Sequence, residues 1–280
     1  MPELPEVETA ARDLASQVAG ATIAAVVHLD WPRLIETPSP EAFVAALAGR
    51  RITHVGRRAK WLLVGLAGDL TLAVHLRMSG SIYVASADAP WDPHVRLVLR
   101  LADGRALVLR DVRKFGRVRL LDAAGLAALD ASFGPEPLEA GFTRAWLARA
   151  LGERATRLKP LLLDQAFIAG LGNIYVDEAL WRARVHPERP ACSLTAPEAA
   201  RLHEAIRAVL EASIARRGST LRDYRTGTGE IGGNQTHFQA YGRTNAPCPR
   251  CGTPISRIVV SQRGTHLCPR CQPARGQGRR

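Results

Sequence analysis

Apolar and polar positions follow two different periods along this chain. In the N-terminal half, short apolar runs recur at Thr22–Leu29, Trp61–Leu66, Leu70–Leu76, Val95–Leu101 and Ala106–Arg110. Turn signals divide them. Asp103-Gly104 falls between two runs, as does Gly68-Asp69, and such pairs mark hairpins. Short strands at this spacing predict a sandwich or barrel. One helix precedes them. Pro5 suits its first turn, Glu3 and Glu6 suit its positive end, and Val7, Ala11, Leu14 and Val18 share one face. Gly20 is its expected stop. Beyond a Pro/Gly/Glu stretch, Gly134–Gly141 (GPEPLEAG), the period becomes helical. Helices are expected over Thr143–Leu151, Pro160–Ile168 and Ile174–Ala183. A fourth opens on the capping box Thr195–Glu198, buries Leu202, Ile206, Val209, Leu210 and Ile214, and closes at Gly218. A Gly-rich stretch, Ser219–Asn234, leads to a cysteine-bearing tail.

Composition narrows the class. The chain has 280 residues, 46% hydrophobic and 23% charged, which suits a globular protein of about two domains. No apolar run approaches the ~18 residues of a membrane span. The opening MPELPEVETA lacks a basic stretch followed by an apolar one, so it does not read as an export signal, and a reducing cytoplasm is expected. The net charge is +12. Of 38 basic residues only Lys60, Lys114 and Lys159 are lysines, so a genomic arginine bias contributes. Bias does not explain the distribution. No acidic residue follows Glu230, whereas Arg243, Arg250, Arg257, Arg263, Arg270, Arg275, Arg279 and Arg280 do. That asymmetry points to a nucleic-acid face.

The cysteines carry the clearest chemistry. Cys248-x2-Cys251-x16-Cys268-x2-Cys271 has the spacing of a four-thiolate zinc site. Two disulfides are the alternative, disfavoured in a reducing compartment. With every tetrahedral position filled by sulfur, one Zn2+ would be structural, holding a short hairpin whose turn is expected near Ser261–Gly264 with Arg263 at its tip. Cys192 is left as an incidental thiol.

The N-terminus offers a second chemistry. Removal of Met1 would expose Pro2 as a secondary amine able to attack a sugar carbon and become an iminium. An α-amino group titrates near 7.7–8.0, well below lysine, so part of it is unprotonated at neutral pH. Glu3 lies beside it and Glu6 one turn on, placed to move protons. Spacing alone favours a plain helix start.

The whole set of motifs resembles the bacterial formamidopyrimidine-DNA glycosylases, enzymes that remove oxidised purines. The resemblance rests on Met1–Thr9 (MPELPEVET), His75–Gly80 (HLRMSG), Asp111–Gly116 (DVRKFG), Lys159–Gln165 (KPLLLDQ), Gly170–Glu178 (GLGNIYVDE), Tyr241–Arg243 (YGR) and the four-cysteine finger, in that order. It covers roughly residues 2–272. It implies an α+β multidomain fold: a catalytic β-sandwich with its N-terminal helix over 1–133 and a linker over 134–141. A helix–two-turns–helix domain with a Gly-rich lid follows over 142–234, then a zinc-finger hairpin over 235–272 and a basic tail over 273–280, with DNA between the domains.

The same resemblance implies roles. Pro2 would be the nucleophile, Glu3 the general acid/base and Glu6 its support. Lys60, within Arg57–Leu62 (RRAKWL), would donate a proton and contact phosphate; Arg263 would contact phosphates and assist the second elimination. Asn173, read from its position as the cap of Ile174–Ala183, matches a phosphate-binding position, where exposed backbone N–H groups suit an anion. His75, His94, Arg154 and Tyr241 match DNA-contacting positions. Met78, Arg113 and Phe115 match residues that fill the void left by a flipped nucleotide. The Gly-rich stretch matches a lid over the everted base. Here the chain departs from the family: Asn234 in Gly232–Gln235 (GGNQ) stands where phenylalanine is frequent, which bears on how the lid is ordered.

The expectation is a monomeric, cytoplasmic base-excision repair enzyme, a bifunctional DNA glycosylase and abasic-site lyase. Its partner would be double-stranded DNA containing oxidised bases or abasic sites, with no membrane association. Two alternatives share part of the pattern. An endonuclease-VIII-like glycosylase for oxidised pyrimidines would keep Pro2-Glu3 and the finger, but Leu4 and the Met78/Arg113/Phe115 set favour purines. A non-catalytic damage-binding protein would need no reactive amine.

Overall fold

The computed structural model describes residues 2–274. They form two compact units, one of residues 2–132 and 213–235, the other of residues 133–212 and 236–274.

The first unit contains, in chain order, helix α1 (Leu4–Val18), strands β1 (Ile23–Leu29) and β2 (Ile35–Thr37), and helix α2 (Pro40–Leu47). Strands β3 (Ile52–Arg58), β4 (Trp61–Leu66), β5 (Leu70–His75), β6 (Gly80–Ser86), β7 (Val95–Leu101), β8 (Arg105–Asp111) and β9 (Arg117–Leu121) follow, then helix α3 (Ala123–Ala131). One sheet has the order β1-β7-β8-β6 and the other β2-β9-β5-β4-β3; only β2 and β9 pair in parallel. Leu72 and Val74 of one sheet join Leu97 and Leu107 of the other in a single core, completed by Leu14 of α1 and Phe43 of α2. This is the expected β-sandwich.

Helix α1 packs on β3 and β4. Its apolar stripe is Leu4, Val7, Leu14 and Val18, all fully buried, and each such side chain contributes about 1.5–3 kcal/mol. The helix starts with Pro5 in its first turn and a capping box between Glu3 and Glu6. Strands β2, β3, β6 and β9 and helices α2 and α3 escape a reading of apolar runs. Strand β3, for example, buries only Ile52 fully, so its sequence (ITHVGRR) carries almost no alternation.

The second unit holds helices α4 (Arg144–Gly152), α5 (Leu158–Leu163), α6 (Asn173–Ala183) and most of α7 (Ala196–Ala215), then strands β10 (Ser256–Val260) and β11 (Arg263–Leu267). Helix α5 stops five residues before the expected Ile168. Asp164 leaves the helical conformation (ψ 116°) and its carboxylate accepts the Ala166 N–H at 2.9 Å, ending the helix in a turn. Gln165 then braces the α5–α6 connection by donating to the Leu163 and Leu171 carbonyls and accepting the Gly170 N–H. The capping box before α7 forms as read: Thr195 N–H donates to Glu198 at 2.8 Å, and Glu198 N–H to Thr195 Oγ1 at 3.4 Å.

Two segments sit differently from their reading in the sequence. The stretch 134–141 is no loose linker: Gly134 N–H donates to the Gln165 carbonyl and Ala169 N–H to that of Pro135, so it is docked on the α5–α6 turn. A Cβ at Gly134 would lie 2.4 Å from the Phe167 carbonyl oxygen, which is why a glycine stands there. The Gly-rich stretch, assigned in the sequence to the helical domain, belongs with the sandwich. Hydrogen bonds and an ion pair to α1, described below, hold it there. Of the basic tail, residues 275–280 lie outside the described residues. No helix among the described residues is long and apolar enough to cross a membrane.

Candidate active site

The head of α1 concentrates the candidate catalytic groups. Pro2 precedes the helix, and Glu3 is its N-cap in extended conformation. Glu3 and Glu6 are both 1% exposed, too buried for residues that merely decorate a helix start. Glu6 Oε2 accepts the Glu3 N–H at 2.9 Å, and Glu6 Oε1 accepts the Ser219 N–H at 2.7 Å. Tyr224 completes the enclosure by donating its hydroxyl to the Glu6 carbonyl at 2.8 Å. Burial and the nearby Glu6 and Asp13 raise the Tyr224 hydroxyl well above its ordinary value, keeping it a donor. The Gly-rich segment thus meets α1 at Glu6, through both its carboxylate and its backbone carbonyl. Arg217 adds an ion pair to Asp13 at 2.9 Å.

Lys60 sits in the tight turn between β3 and β4, the strands that carry α1. It is 8% exposed, unlike a solvated strand-end lysine. Arg57 fixes this turn, donating to the Ala59 carbonyl at 2.9 Å and to Glu8 of α1 at 3.0 Å. His75, at the end of β5, has its basicity pushed down to about 3 by burial and by the cations Arg77, Lys60 and Arg119. Its Nδ1 accepts the Arg77 N–H at 3.0 Å, so the neutral ring carries its proton on Nε2.

Met78 and Phe115 stand on two neighbouring turns and are 40% and 44% exposed, so neither is core packing. The Arg113 guanidinium stacks 4.6 Å from the Phe115 ring centre. Both turns are organised by Asp111, a fully buried carboxylate. It accepts Ser79 Oγ at 2.5 Å, Arg113 N–H at 3.2 Å and Gly116 N–H at 2.7 Å. Arg96 donates to the Asp111 carbonyl at 2.9 Å and to Asp30 at 2.5 Å, and lies 3.4 Å from His94 Nδ1. An apolar pair and an arginine, held outward on a rigid base, can enter a base stack.

The second unit presents its own set. Asn173 is not the cap of α6: Gly172 takes that position and Asn173 is the first helical residue. Its Nδ2 donates to the Gly264 carbonyl at 3.0 Å, while its buried Oδ1 has no partner among the described residues. Lys159 and Asp177, both completely buried, pair at 2.5 Å. Lys159 also donates to the Gly264 carbonyl at 3.2 Å, and Asp177 Oδ2 accepts the His266 N–H at 2.8 Å. Next to Asp177, Glu178 accepts the N–H groups of Gln239, Ala240 and Tyr241. Burial pushes its carboxyl up in spite of those three donors. Two consecutive acids of α6 therefore fasten the backbone just before the cysteine finger, through Glu178, and strand β11 within it, through Asp177. Arg154 is exposed two residues beyond α4, and the Tyr241 ring packs edge-on to His266.

Strands β10 and β11 are joined through Ser261 and Gln262, both in the left-handed region (φ 47° and 61°). Such a two-residue turn matches the strand twist. Arg263 pairs with Val260 and is the first residue after the turn, one position from the tip expected of it, and it is exposed. The four cysteine sulfurs lie within 4.8 Å of one another, and Cys251 and Cys268 are 3.4 Å apart. A tetrahedral zinc with ~2.3 Å bonds separates its sulfurs by about 3.8 Å, so the cluster fits one Zn2+ with no coordination position left over.

Asp111, Asp177, Glu178 and Lys159 all lie within motifs visible in the sequence, yet no role could be read for them there. For Asp177 and Glu178 the available signal is a pair of acidic residues in an otherwise apolar stretch, VDEALW, and it does not say which backbone each carboxylate meets.

The comparisons with known proteins agree with this arrangement. Family models match residues 1–118 as a formamidopyrimidine-DNA glycosylase N-terminal domain and residues 133–225 as the H2TH domain of the same proteins. Residues 246–274 match a zinc finger found in FPG and IleRS. A formamidopyrimidine-DNA glycosylase from Roseiflexus sp. is 60% identical over 97% of this chain and all of its own length. One from Chloroflexus aurantiacus is 56% identical, covering 97% of this chain and 98% of its own. Among solved structures, a Lactococcus lactis FPG variant complexed with Fapy-dG-containing DNA superposes with a TM-score of 0.92 at 38% identity, covering 98% of this chain and 100% of its own. The Lactococcus lactis protein with abasic-site DNA gives 0.90 at 37% identity, covering 97% and 100%.

Proposed function

This chain belongs to the formamidopyrimidine-DNA glycosylase family, and on that premise we propose that Pro2 is its nucleophile and oxidised purines its substrates. The enzyme is a base-excision repair glycosylase and abasic-site lyase acting on damaged bases in DNA, with one structural zinc. After removal of Met1, the Pro2 nitrogen attacks C1′ of the flipped nucleotide. The bond from C1′ to the base breaks, and the base leaves with a proton. Glu3 moves protons at the sugar as the ring opens and the iminium forms. Loss of a C2′ proton expels the 3′ phosphate. A second elimination expels the 5′ phosphate, leaving a one-nucleotide gap. Lys60 and Arg263 contact phosphates, Arg263 assists the second elimination, and Asn173 holds a phosphate. His75, His94, Arg154 and Tyr241 contact DNA. Met78, Arg113 and Phe115 fill the void in the stack. The partner is duplex DNA with oxidised purines or abasic sites, bound by a monomer in the cytoplasm.

One observation carries this reading: a proline at position 2 is followed by two carboxylates, each 1% exposed, one of which caps the helix at the other's backbone N–H. The capping box occupies both carboxylates, but acids at a plain helix start are normally solvated; a damage-binding protein has no use for burying two of them beside a terminal amine.

Incubation with a labelled duplex carrying 8-oxoguanine opposite cytosine, with and without borohydride, tests it. The expected result is a covalent adduct mapped by mass to Pro2 and, without borohydride, a one-nucleotide gap. Reaction only with an oxidised pyrimidine would move the enzyme to the pyrimidine branch. Failure of the processed chain on every lesion and on abasic DNA would refute the nucleophile.

A further inference from the structure

Asn234 is a buried amide, 6% exposed, in the neck of the Gly-rich segment. Four contacts tie it there. Its N–H donates to the Gly218 carbonyl at 3.0 Å, and its Nδ2 to Ser219 Oγ at 3.1 Å. Its Oδ1 accepts from Arg216 at 3.4 Å, and the preceding Gly233 N–H donates to the Arg216 carbonyl at 2.9 Å. The neighbouring Gln235 and Thr220 continue the lattice, Thr220 N–H donating to Gln235 Oε1 at 3.0 Å. The two ends of the loop approach so closely that a Cβ on Gly232 would lie 2.3 Å from the Gly218 carbonyl oxygen. A phenylalanine at position 234 could make none of the side-chain bonds.

Ser219 is the residue of the loop that meets the Glu6 carboxylate, while Tyr224 reaches the Glu6 carbonyl. Its N–H donates to Glu6 Oε1 at 2.7 Å, while Glu6 Oε2 accepts from Glu3, the neighbour of Pro2. The contact between Glu3 and Glu6 lies within α1 and persists whatever the loop does. At the Glu6 carboxylate the contact from Ser219 is the part that the loop adds, and Asn234 holds Ser219 by its hydroxyl.

We propose that Asn234 is a positioning residue that holds the Ser219 N–H against Glu6, so that the closed loop and the catalytic amine are oriented together when a damaged base is excised. This rests on the assignment of Pro2 and Glu3 above. It separates two activities. Excision of a base uses the loop and α1 together. Cleavage of a preformed abasic site presents no base to the loop and uses the internal geometry of α1. Asn234 is therefore a determinant of base excision and a bystander in strand cleavage.

The test compares Asn234→Ala, Ser219→Ala and the double variant by single-turnover kinetics on two duplexes, one with 8-oxoguanine and one with a preformed abasic site. Asn234→Ala is expected to slow excision by about tenfold, the value of one hydrogen bond to a charged group, and to change abasic cleavage by less than about threefold. Ser219→Ala removes the hydroxyl and keeps the N–H. If the two act through one bond, the double variant loses no more excision than the worse single one. Equal losses on both duplexes would indicate a general structural role and overturn the proposal. Unchanged excision, or additive losses in the double variant, would do the same. Borohydride trapping of the unsubstituted enzyme runs alongside; without a Pro2 adduct there, the nucleophile assignment fails and this inference with it.

Discussion

Replacing Lys159 by methionine isolates the most deeply buried charge in the helical unit. The substitution keeps the aliphatic stem and leaves the Asp177 carboxylate, itself fully buried, without the cation 2.5 Å away. Removing one member of a buried ion pair costs about 3–5 kcal/mol, because the remaining charge stays desolvated. For a protein of this size that lowers the melting temperature by roughly 10 °C. Replacing both members, Lys159→Met with Asp177→Leu, removes the stranded charge. It also leaves the His266 N–H, now bonded at 2.8 Å, without an acceptor, at about 1–3 kcal/mol. The double variant should therefore be more stable than Lys159→Met and less stable than the parent. Urea denaturation followed by tryptophan fluorescence measures this, since Trp146 and Trp181 lie in the affected unit. A loss below about 1 kcal/mol in Lys159→Met would equal that of a solvated pair and refute the reasoning. So would a double variant less stable than the single one.

Three further outcomes follow from the same geometry. Cys268→Ser should abolish the one-to-one zinc content and raise amide exchange across Ser256–Leu267 while leaving α1 protected, as metal analysis and hydrogen exchange would report. Asp111→Asn places an amide donor against the Gly116 or Arg113 N–H; it should cost about 1–3 kcal/mol and weaken binding to lesion DNA, both readable by melting and a filter-binding titration. His75 is neutral in the folded chain down to about pH 3, against 6.5 when unfolded. The unfolded chain binds the extra proton between those values, so this contribution is intact above pH 6.5 and is lost progressively as the pH falls toward 3. His75→Asn should flatten the dependence of the urea midpoint on pH between 7.5 and 4.5, and an unchanged slope would refute the assignment.

Much of the architecture is legible where one element carries its own signal. The zinc site is written in four cysteines, because metal geometry restricts the spacing. Helix α1 is written in Pro5 and in the stripe from Val7 to Val18, and α7 in its capping box. Elements with weak local patterns, such as β3 and β9, are not legible. They are strands because neighbouring strands supply hydrogen bonds, and only the assembled sheet provides those.

The candidate site divides in the same way. The cysteines are identifiable from residue type and order, since four thiols at this spacing are a chemistry in themselves, whereas Pro2, Glu3 and Glu6 fit a plain helix start until they are read together with the other motifs along the chain. The roles of Asp111, Asp177, Glu178 and Asn234 were decided by tertiary structure alone. Each is a polar side chain whose meaning is the backbone or hydroxyl it reaches, across 62 residues for Glu178 and Ala240 or 89 for Asp177 and His266. A buried carboxylate or amide requires a partner, but the sequence names only the requirement. Which distant N–H group satisfies it is settled by how the chain folds back on itself.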